Sequence, residues 1–321
     1  MVLILPNRYF LWRTRMNLNT HLKQSAIFSS TIIATIGRPT LARAVESVLS
    51  QEVDSGDFEV IVVNDSGHPL PVEKWQESEK VTILTTQKRE RCFARNAGAA
   101  IARDQYLHFL DDDDWILPEA LKELWAATRI SNALLICGTT RFIDMKGNIT
   151  RESISEVKGD AFAQAMAGKW IPFQSSLIKS EGFFNAGGFD FHFSRMGEQK
   201  DLCRRLALHG DFAHTRHIVA CVVRDRENST ANWALEKSAS LRSRDFILDE
   251  RGSFARMVKS AKTSYWRGRL VRAYLTCVVW NLKQKSPLKM VARACEAIAG
   301  FILSTRHILS RGFWKGILEG N

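Results

Sequence analysis

Phe109-Leu110-Asp111-Asp112-Asp113-Asp114-Trp115 places four consecutive carboxylates directly after an apolar segment, residues 106–110. The apolar segment predicts a buried strand, and four like charges at its end repel one another unless a cation lies among them. Carboxylate oxygens suit Mg²⁺ and Mn²⁺, which proteins often share with the phosphates of a nucleotide. Because side chains alternate along a strand, Asp111 and Asp113 are expected to point one way and Asp112 the other. The alternative is a solvated acidic turn that precedes a helix.

Strands and helices alternate on both sides of this stretch. Apolar and β-branched runs predict strands at 30–36, 58–63, 81–84 and 105–110, and helical periodicity is present at 40–51 and 92–102. These strands are apolar throughout, which is typical of a parallel sheet covered by helices on both faces. The pattern further predicts helices at 119–130, 160–168 and 198–209 and strands at 133–144, 175–179 and 212–223. The fold class is therefore α/β.

Polar residues follow three of the predicted strands. Ala34-Thr35 ends the first, Asn64-Asp65-Ser66 follows the second, and the four aspartates follow the fourth. Ligands of such sheets bind outside the carboxyl ends of the strands, so we expect one shared site. A nucleotide suits it, with a carboxylate for the base or ribose and a metal for the diphosphate. The alternative at 64–67 is a turn in which the Asn and Asp side chains bond to their own backbone.

Six motifs in order resemble those of the inverting glycosyltransferases with the GT-A fold, glycosyltransferase family 2. The motifs are 32–38 with 47–51, 62–66, Ala94-Arg95-Asn96-x-Gly98, 109–114, Gly187-Gly188-Phe189-Asp190 and 198–206. The resemblance covers residues 28–235 and implies a Rossmann-like mixed sheet flanked by helices. It also implies transfer of a sugar from a nucleotide-sugar, most often a UDP-sugar, to a glycan or lipid-linked acceptor. The expected process is synthesis of cell-surface polysaccharide or lipopolysaccharide.

The resemblance also assigns residues to the donor and to a metal ion. Asp113 is implied as the direct ligand of Mg²⁺ or Mn²⁺, with Asp111 beside it. The residues implied in donor binding are Ala34, Thr35, Arg38, Asp65, Arg95, Asp111, Asp112 and Arg226. At Arg226 the family often has a histidine, and a surface arginine is the alternative there.

The resemblance leaves the identity of the catalytic base open. Inversion requires a group that deprotonates the acceptor hydroxyl. The family usually supplies it from an acidic pair at the start of the helix that begins here at Glu198, but the second acid is replaced by Gln199. Three interpretations follow: Glu198 is the base, Asp201 on the same helix face is the base, or the protein is a catalytically impaired donor-binding or scaffold protein.

The charge is concentrated at one end of the chain. Residues 251–321 hold 14 Lys and Arg and two acids, a net charge of +12, whereas the remainder holds 31 basic and 32 acidic residues. We divide the chain into a lead-in (1–26), a GT-A domain (27–235) and a basic helical region (236–321). Trp and Phe among the basic residues of 250–321 favour peripheral contact with an anionic membrane. Alternatives are a helical appendage with solvated charges, or nucleic-acid binding, for which no module is recognised.

Composition excludes several other classes of protein. The six cysteines form no C-x-x-C pair, so neither a zinc site nor a disulfide framework is indicated. The start of the chain is a poor secretory signal, and no apolar stretch is long enough for a transmembrane helix. We therefore expect a cytoplasmic protein, peripheral on the inner face of the cell membrane if the basic region binds there.

Overall fold

The computed structural model describes residues 27–53, 57–155, 157–193, 197–224 and 233–319. Within these residues there are nine strands: β1 (Ile27–Thr35), β2 (Asp57–Asn64), β3 (Val81–Thr85), β4 (Tyr106–Asp111), β5 (Trp115–Ile116), β6 (Leu135–Ile143), β7 (Ile149–Ser153), β8 (Ser176–Lys179) and β9 (Phe212–Val223). The helices are α1 (Leu41–Leu49), α2 (Arg91–Ile101), α3 (Ala120–Ile130), α4 (Phe162–Met166), α5 (Ser180–Asn185), α6 (Glu198–His209), α7 (Trp233–Leu248), α8 (Ser253–Ser260), α9 (Ser264–Lys283), α10 (Pro287–Ile302) and α11 (Arg311–Leu318). Every predicted strand and helix between 30 and 223 is confirmed, while β5, β7 and α5 were not predicted.

The strands form one mixed sheet in the order β3-β2-β1-β4-β8-β6-β9-β5, with β7 paired to β6. The first four strands are parallel, as the apolar sequences predict. β8 runs antiparallel to both β4 and β6, and β9 is parallel to β6. The parallel arrangement therefore ends at β4, and the mixed sheet expected from the resemblance is confirmed.

Each face of the sheet packs against its own helices. Ile33 of β1 belongs to a core that includes the apolar faces of α1 and α3. Ile32, its neighbour, belongs to the opposite core, which includes α2 and α6. Consecutive residues of a strand point to opposite faces, so an apolar run is what burial on both faces requires.

Strand register brings the polar strand ends together. Ala34 pairs with Asp111 on β4 and with Val63 on β2, and the Asp65 amide donates a 2.9 Å hydrogen bond to the Thr35 carbonyl. The expectation that these three chain segments meet at one edge of the sheet is confirmed.

The basic region forms helices that share a core with the sheet domain. Buried residues of α8 and α9, such as Met257 and Leu270, lie in the same hydrophobic cluster as Leu206 of α6. The expected boundary at 235/236 falls inside α7. Within the described residues, no helix is both long enough and apolar enough to cross a bilayer. Five of the six cysteines are buried.

Candidate active site

Three of the four aspartates converge at the end of β4. The strand ends at Asp111, and a turn follows in which the Asp114 amide donates a 3.1 Å hydrogen bond to the Asp111 carbonyl. Carboxylate oxygens of Asp111, Asp113 and Asp114 lie within 4.8 Å of one another. Asp112 is outside this group, as predicted, but the predicted reason, strand alternation, is wrong. The strand ends at Asp111, and Asp112 lies in the turn that follows. The sequence reasoning also missed Asp114 as a member of the cluster.

The electrostatics of the cluster favour a cation. Burial raises the pKa of Asp114 well above its ordinary value, and the charges of Asp111 and Asp113 raise it further. At Asp111 burial also raises the pKa, but the charge of Arg95 and the hydrogen bonds from Gln174 and Arg95 together outweigh burial, so the pKa lies below its ordinary value. The oxygens are all hard ligands, and a divalent ion among them would offset their mutual repulsion. The residues present therefore fit Mg²⁺ or Mn²⁺.

Asp112 points toward β1 and holds the turn in place. Its Oδ2 accepts a 2.6 Å hydrogen bond from Thr35 Oγ1, and its Oδ1 accepts one of 3.0 Å from Arg38 Nη1. The same Arg38 nitrogen donates to Asp113 Oδ2 at 2.8 Å. Burial raises the pKa of Asp112, whereas the hydrogen bond from Thr35 and the charge of Arg38 lower it. Thr35, Arg38 and Asp112, all predicted donor residues, thus connect the aspartate turn to the end of β1.

Asp65 is buried at the end of β2 and organises the segment before α2. Its Oδ1 accepts hydrogen bonds from Thr86 Oγ1 at 2.7 Å and the Lys88 amide at 2.9 Å. Its Oδ2 accepts one of 2.6 Å from the Glu90 amide. Glu90 in turn caps α2 through the amides of its first turn. The predicted donor carboxylate therefore already fixes the entry into the helix that carries Arg95.

The neighbouring residues form the self-bonded turn that was the alternative for this segment. Asn64 Oδ1 accepts hydrogen bonds from the Ser66 amide at 3.1 Å and its hydroxyl at 2.7 Å. Asn64 Nδ2 donates to the His68 carbonyl at 2.7 Å. Asn64 thus stabilises the turn, while Asp65 faces the segment before α2.

Arg95 joins the aspartate cluster to the start of α6. It is 5% exposed, and its Nη2 donates to Asp111 Oδ1 at 2.5 Å while its Nη1 donates to Glu198 Oε1 at 3.1 Å. Burial lowers the pKa of Arg95, but the charges of Asp111 and Glu198 outweigh this and raise it. Arg91, one turn earlier on α2, donates to the same Glu198 oxygen at 3.4 Å. One buried cation therefore positions the predicted metal ligand and the predicted base together.

Gln174 and His108 also position Asp111, and the sequence reasoning missed both. Gln174 Nε2 donates to Asp111 Oδ2 at 2.8 Å, and the Gln174 carbonyl accepts a 2.9 Å hydrogen bond from His108 Nε2. His108 Nδ1 lies 3.1 Å from Thr31 Oγ1 and accepts from it, since Nε2 carries the proton. Burial lowers the pKa of His108 to about 4. A histidine inside an apolar strand was the available signal, whereas nothing in the sequence pointed to Gln174.

A cavity of about 290 Å³ lies between the aspartates and α6. This is close to the lower end of the range for small-molecule pockets, roughly 300–1,000 Å³. Its lining includes Asp111, Trp170, Gln174, Glu198, Gln199 and Arg224. Trp170 is half-buried and was not among the predicted site residues. Arg226, the predicted diphosphate contact, lies outside the described residues.

Asp201 is not brought into this cavity. It is 1% exposed, its Oδ1 accepts a 2.7 Å hydrogen bond from Ser243 Oγ, and its Oδ2 accepts two from Arg205, at 2.9 and 2.7 Å. The expectation that it presents the same face as Glu198 is wrong, because Asp201 faces α7 while Glu198 faces α2. Both its oxygens are engaged, so the geometry favours Glu198 over Asp201 as a base.

Comparison with known sequences identifies a family for this chain. The model of glycosyl transferase family 2 matches residues 30–196, which is just over half of the 321 residues. The poly(ribitol-phosphate) beta-N-acetylglucosaminyltransferase TarP of Staphylococcus aureus (strain N315) is 29% identical over 144 residues, 43% of each chain. An uncharacterized glycosyltransferase, MJ1057 of Methanocaldococcus jannaschii, is 30% identical over 132 residues, 38% of this chain and 45% of its own. The chain thus spans less than half the length of these curated relatives.

Solved structures support the fold. Residues 1–349 of S. aureus TarS align with a TM-score of 0.58 at 13% identity, covering 89% of this chain and 82% of that one. The same TarS fragment in complex with UDP aligns with a TM-score of 0.56 at 14% identity, covering 87% and 91%. The similarity extends into the C-terminal helices and shows a shared architecture. With the match to the family model, it shows that the chain belongs to glycosyltransferase family 2 and has the GT-A fold.

Proposed function

We propose that this protein is a metal-dependent inverting glycosyltransferase that moves a sugar from a UDP-sugar to a glycan or lipid-linked acceptor. Membership of family 2 and the glycosyltransferase names of its relatives support the activity. The observation that carries the proposal is the convergence of Asp111, Asp113 and Asp114 beside the cavity that Glu198 lines. A cation-binding cluster and a carboxylate base on one cavity are what this reaction requires.

The aspartate cluster holds the divalent ion in this proposal. Asp113 is the most exposed of the proposed protein ligands, and Asp111 and the buried Asp114 are the other two. Held there, such an ion would supply positive charge that offsets the charge of the departing diphosphate. Arg95 and Gln174 each donate to one oxygen of Asp111, which fixes the orientation of that carboxylate.

Glu198 acts as the base that removes the proton of the acceptor hydroxyl. Both arginines that pair with it donate to Oε1, and Oε2 accepts no hydrogen bond from the described residues. The carboxylate is thus held in one orientation with one oxygen available to an acceptor in the cavity. Attack from that side, opposite the diphosphate, inverts the anomeric centre.

A thermal-shift experiment tests the donor site. UDP with Mn²⁺ should raise the melting temperature of the wild-type protein, because a ligand that binds only the folded state stabilises it. Asp113→Ala should abolish that rise and leave the melting temperature without ligand nearly unchanged, since its pair with Arg38 is exposed. Asp57→Ala is the control, because Asp57 is also an exposed, ion-paired aspartate and lies at the opposite end of the strands, at the start of β2. No stabilisation by UDP with any divalent ion would contradict the proposal.

A donor-binding or scaffold protein without turnover is the second candidate. It is favoured by Gln199, which lines the cavity where the family's second acid is expected and cannot accept a proton. Under this alternative the wild type binds UDP-sugar but shows no transfer, and Glu198→Gln changes nothing further. Gln199→Glu would then create transfer or donor hydrolysis, whereas turnover by the wild type excludes this candidate.

The basic region supports a proposal for the location of the protein and for the class of its acceptor. We propose an acceptor of cell-surface polysaccharide or lipopolysaccharide synthesis and a cytoplasmic protein held at the inner face of the membrane. α10 presents Leu288, Val291, Ile298 and Ile302 on one exposed face, among basic residues of the same region. Such a surface favours an anionic bilayer over a nucleic acid, which would require a polar basic face.

A further inference from the structure

The C-terminal helices form a second cavity, about 790 Å³ in volume, beside the candidate active site. α7, α9 and Ile317 of α11 provide most of its lining, and we call it the C-terminal groove. Gly168, Lys200 and Glu236 line both cavities, so the two are adjacent. Lys200 Nζ and Glu236 Oε1 form an ion pair at this shared border.

The groove has a strong excess of positive charge. Its single acidic lining residue is Glu236, whereas its basic lining residues are Lys200, Lys237, Arg244, Arg269, Arg272 and Lys283. Arg244 Nη1 donates to Thr276 Oγ1 at 2.9 Å, and Arg272 Nη1 donates to the Ile317 carbonyl at 2.5 Å. Neither of these two arginines is paired with a carboxylate of the described residues.

Arg244 is the residue that points to a ligand. It is 3% exposed, and within the described part of the chain its buried Nε has no hydrogen-bond partner. Burial lowers its pKa, and the nearby charges of Arg269 and Arg272 lower it further. A buried guanidinium among like charges is costly unless an anion accompanies it, and arginine forks suit the oxygens of a phosphate.

The remainder of the groove is apolar. Leu241, Ala273 and Trp280 line it beside the arginines. Leu275 and Val279 are 44% and 54% exposed and lie one turn apart on α9. Leu282, 63% exposed, continues this stripe beyond the groove. Burying exposed aliphatic surface is favourable. We therefore expect the ligand to carry an apolar chain that covers this stripe.

We propose that the C-terminal groove binds the acceptor, an amphiphile whose phosphate contacts Arg244 and Arg272 and whose apolar chain lies along Leu275 and Val279. The role as acceptor site rests on the proposed function, whereas the binding chemistry does not. The border shared with the active-site cavity puts the groove next to the proposed donor site.

Calorimetry with dodecyl phosphate, kept below its micelle concentration, tests the chemistry on the full chain without donor. Dodecyl phosphate should bind more tightly than inorganic phosphate, which lacks the chain, and than dodecyl maltoside, which lacks the anion. Arg272→Gln should weaken binding about tenfold, the effect of losing one charged hydrogen bond. Val279→Asn should also weaken it. The controls, Arg129→Gln and Ile149→Asn, alter an exposed arginine and a similarly exposed aliphatic side chain outside both the groove and the basic region, and should leave it unchanged.

Several outcomes would overturn the proposal. These are no binding, equal binding of inorganic phosphate or dodecyl maltoside, or equal losses in the control variants. Vesicles of phosphatidylcholine and phosphatidylglycerol that displace dodecyl phosphate would assign the groove to bilayer lipid and overturn the acceptor role. Each variant should retain the stabilisation by UDP and Mn²⁺. If the wild type lacks that stabilisation the proposed function fails, while amphiphile binding is judged separately.

Discussion

At the residue scale, Glu198 is linked to the aspartate cluster by a short series of hydrogen bonds. Its Oε1 is bonded to Arg91 and Arg95, and the same Arg95 is bonded to Asp111. The aspartate cluster and the proposed base are therefore connected through one guanidinium. Removing the charge of Glu198 should therefore affect catalysis more than donor binding, because the bond between Arg95 and Asp111 remains.

Glu198→Gln should separate catalysis from binding. The amide keeps the size of the side chain and an oxygen for the arginines but accepts no proton, so kcat should fall by roughly 10²- to 10⁴-fold. The thermal shift with UDP and Mn²⁺ should persist. Asp201→Asn is the contrasting variant: it breaks a buried pair with Arg205, so it should cost about 3–5 kcal/mol of unfolding free energy. Unchanged turnover in Glu198→Gln would exclude Glu198 as the base.

His108 should make stability depend on pH. Its folded-state pKa is about 4, below the ordinary value of 6.5, so the unfolded chain binds more protons between these values. Stability therefore falls as pH decreases from 6.5 to 4, by up to about 3 kcal/mol from this residue. Asp104 has a pKa raised to about 6 by burial and contributes the opposite slope. His108→Gln should remove only the histidine contribution, so denaturant unfolding at pH 7 and pH 5 should show a smaller acid loss than in the wild type.

At the element scale, the C-terminal groove depends on the contact between α9 and α11. A Cβ on Gly268 would lie 2.0 Å from the Phe313 carbonyl oxygen, and one on Gly316 would lie 2.2 Å from that of Tyr265. The two helices thus touch backbone to backbone. This contact holds Ile317 in place. The Ile317 side chain lines the groove, and its carbonyl oxygen accepts the hydrogen bond from Arg272.

Gly268→Ala should displace α11 and lower stability. No side chain can move aside to relieve a clash with a backbone oxygen, so we expect a loss of about 1–3 kcal/mol or more, as for other overpacked sites. Gly312→Ala, on α11 itself, is the matched control, since its nearest contact would be 3.4 Å away. Chemical denaturation of both variants checks this, and an equal effect of the two would contradict the close-contact explanation.

At the scale of the whole molecule, charge and apolar exposure coincide in the C-terminal helices. Residues 251–321 carry +12 while the rest of the chain is nearly neutral. Arg293 does not add to the surface charge, because it forms ion pairs with Asp245, Asp249 and Glu296. The outward face of α10 is aliphatic. The proposed membrane contact therefore combines two effects, attraction to anionic lipid and burial of aliphatic side chains.

Vesicle co-sedimentation should show this binding. The protein should sediment with phosphatidylglycerol vesicles and less with neutral ones, and high salt should weaken the association because it screens the charges. Ile298→Glu should reduce binding severalfold. Ile149→Glu changes an equally exposed isoleucine on β7 and should not, since the two residues are 60% and 58% exposed. Equal sedimentation with neutral vesicles would contradict the electrostatic part.

The sequence by itself determined most of the strands and helices, the parallel part of the sheet and the meeting of its strand ends, because apolar periodicity and strand direction are local and regular properties. Asp111, Asp113 and Asp65 were located for that reason. Only the tertiary structure decided which side chains meet: Asp114 joins the cluster through a turn, Gln174 arrives from 63 residues away, and Asp201 turns to α7. Contacts between distant segments depend on packing and on register, which no local pattern encodes. The C-terminal groove also depends on such contacts, because its arginines and its apolar stripe become neighbours only when α7, α9 and α11 pack together.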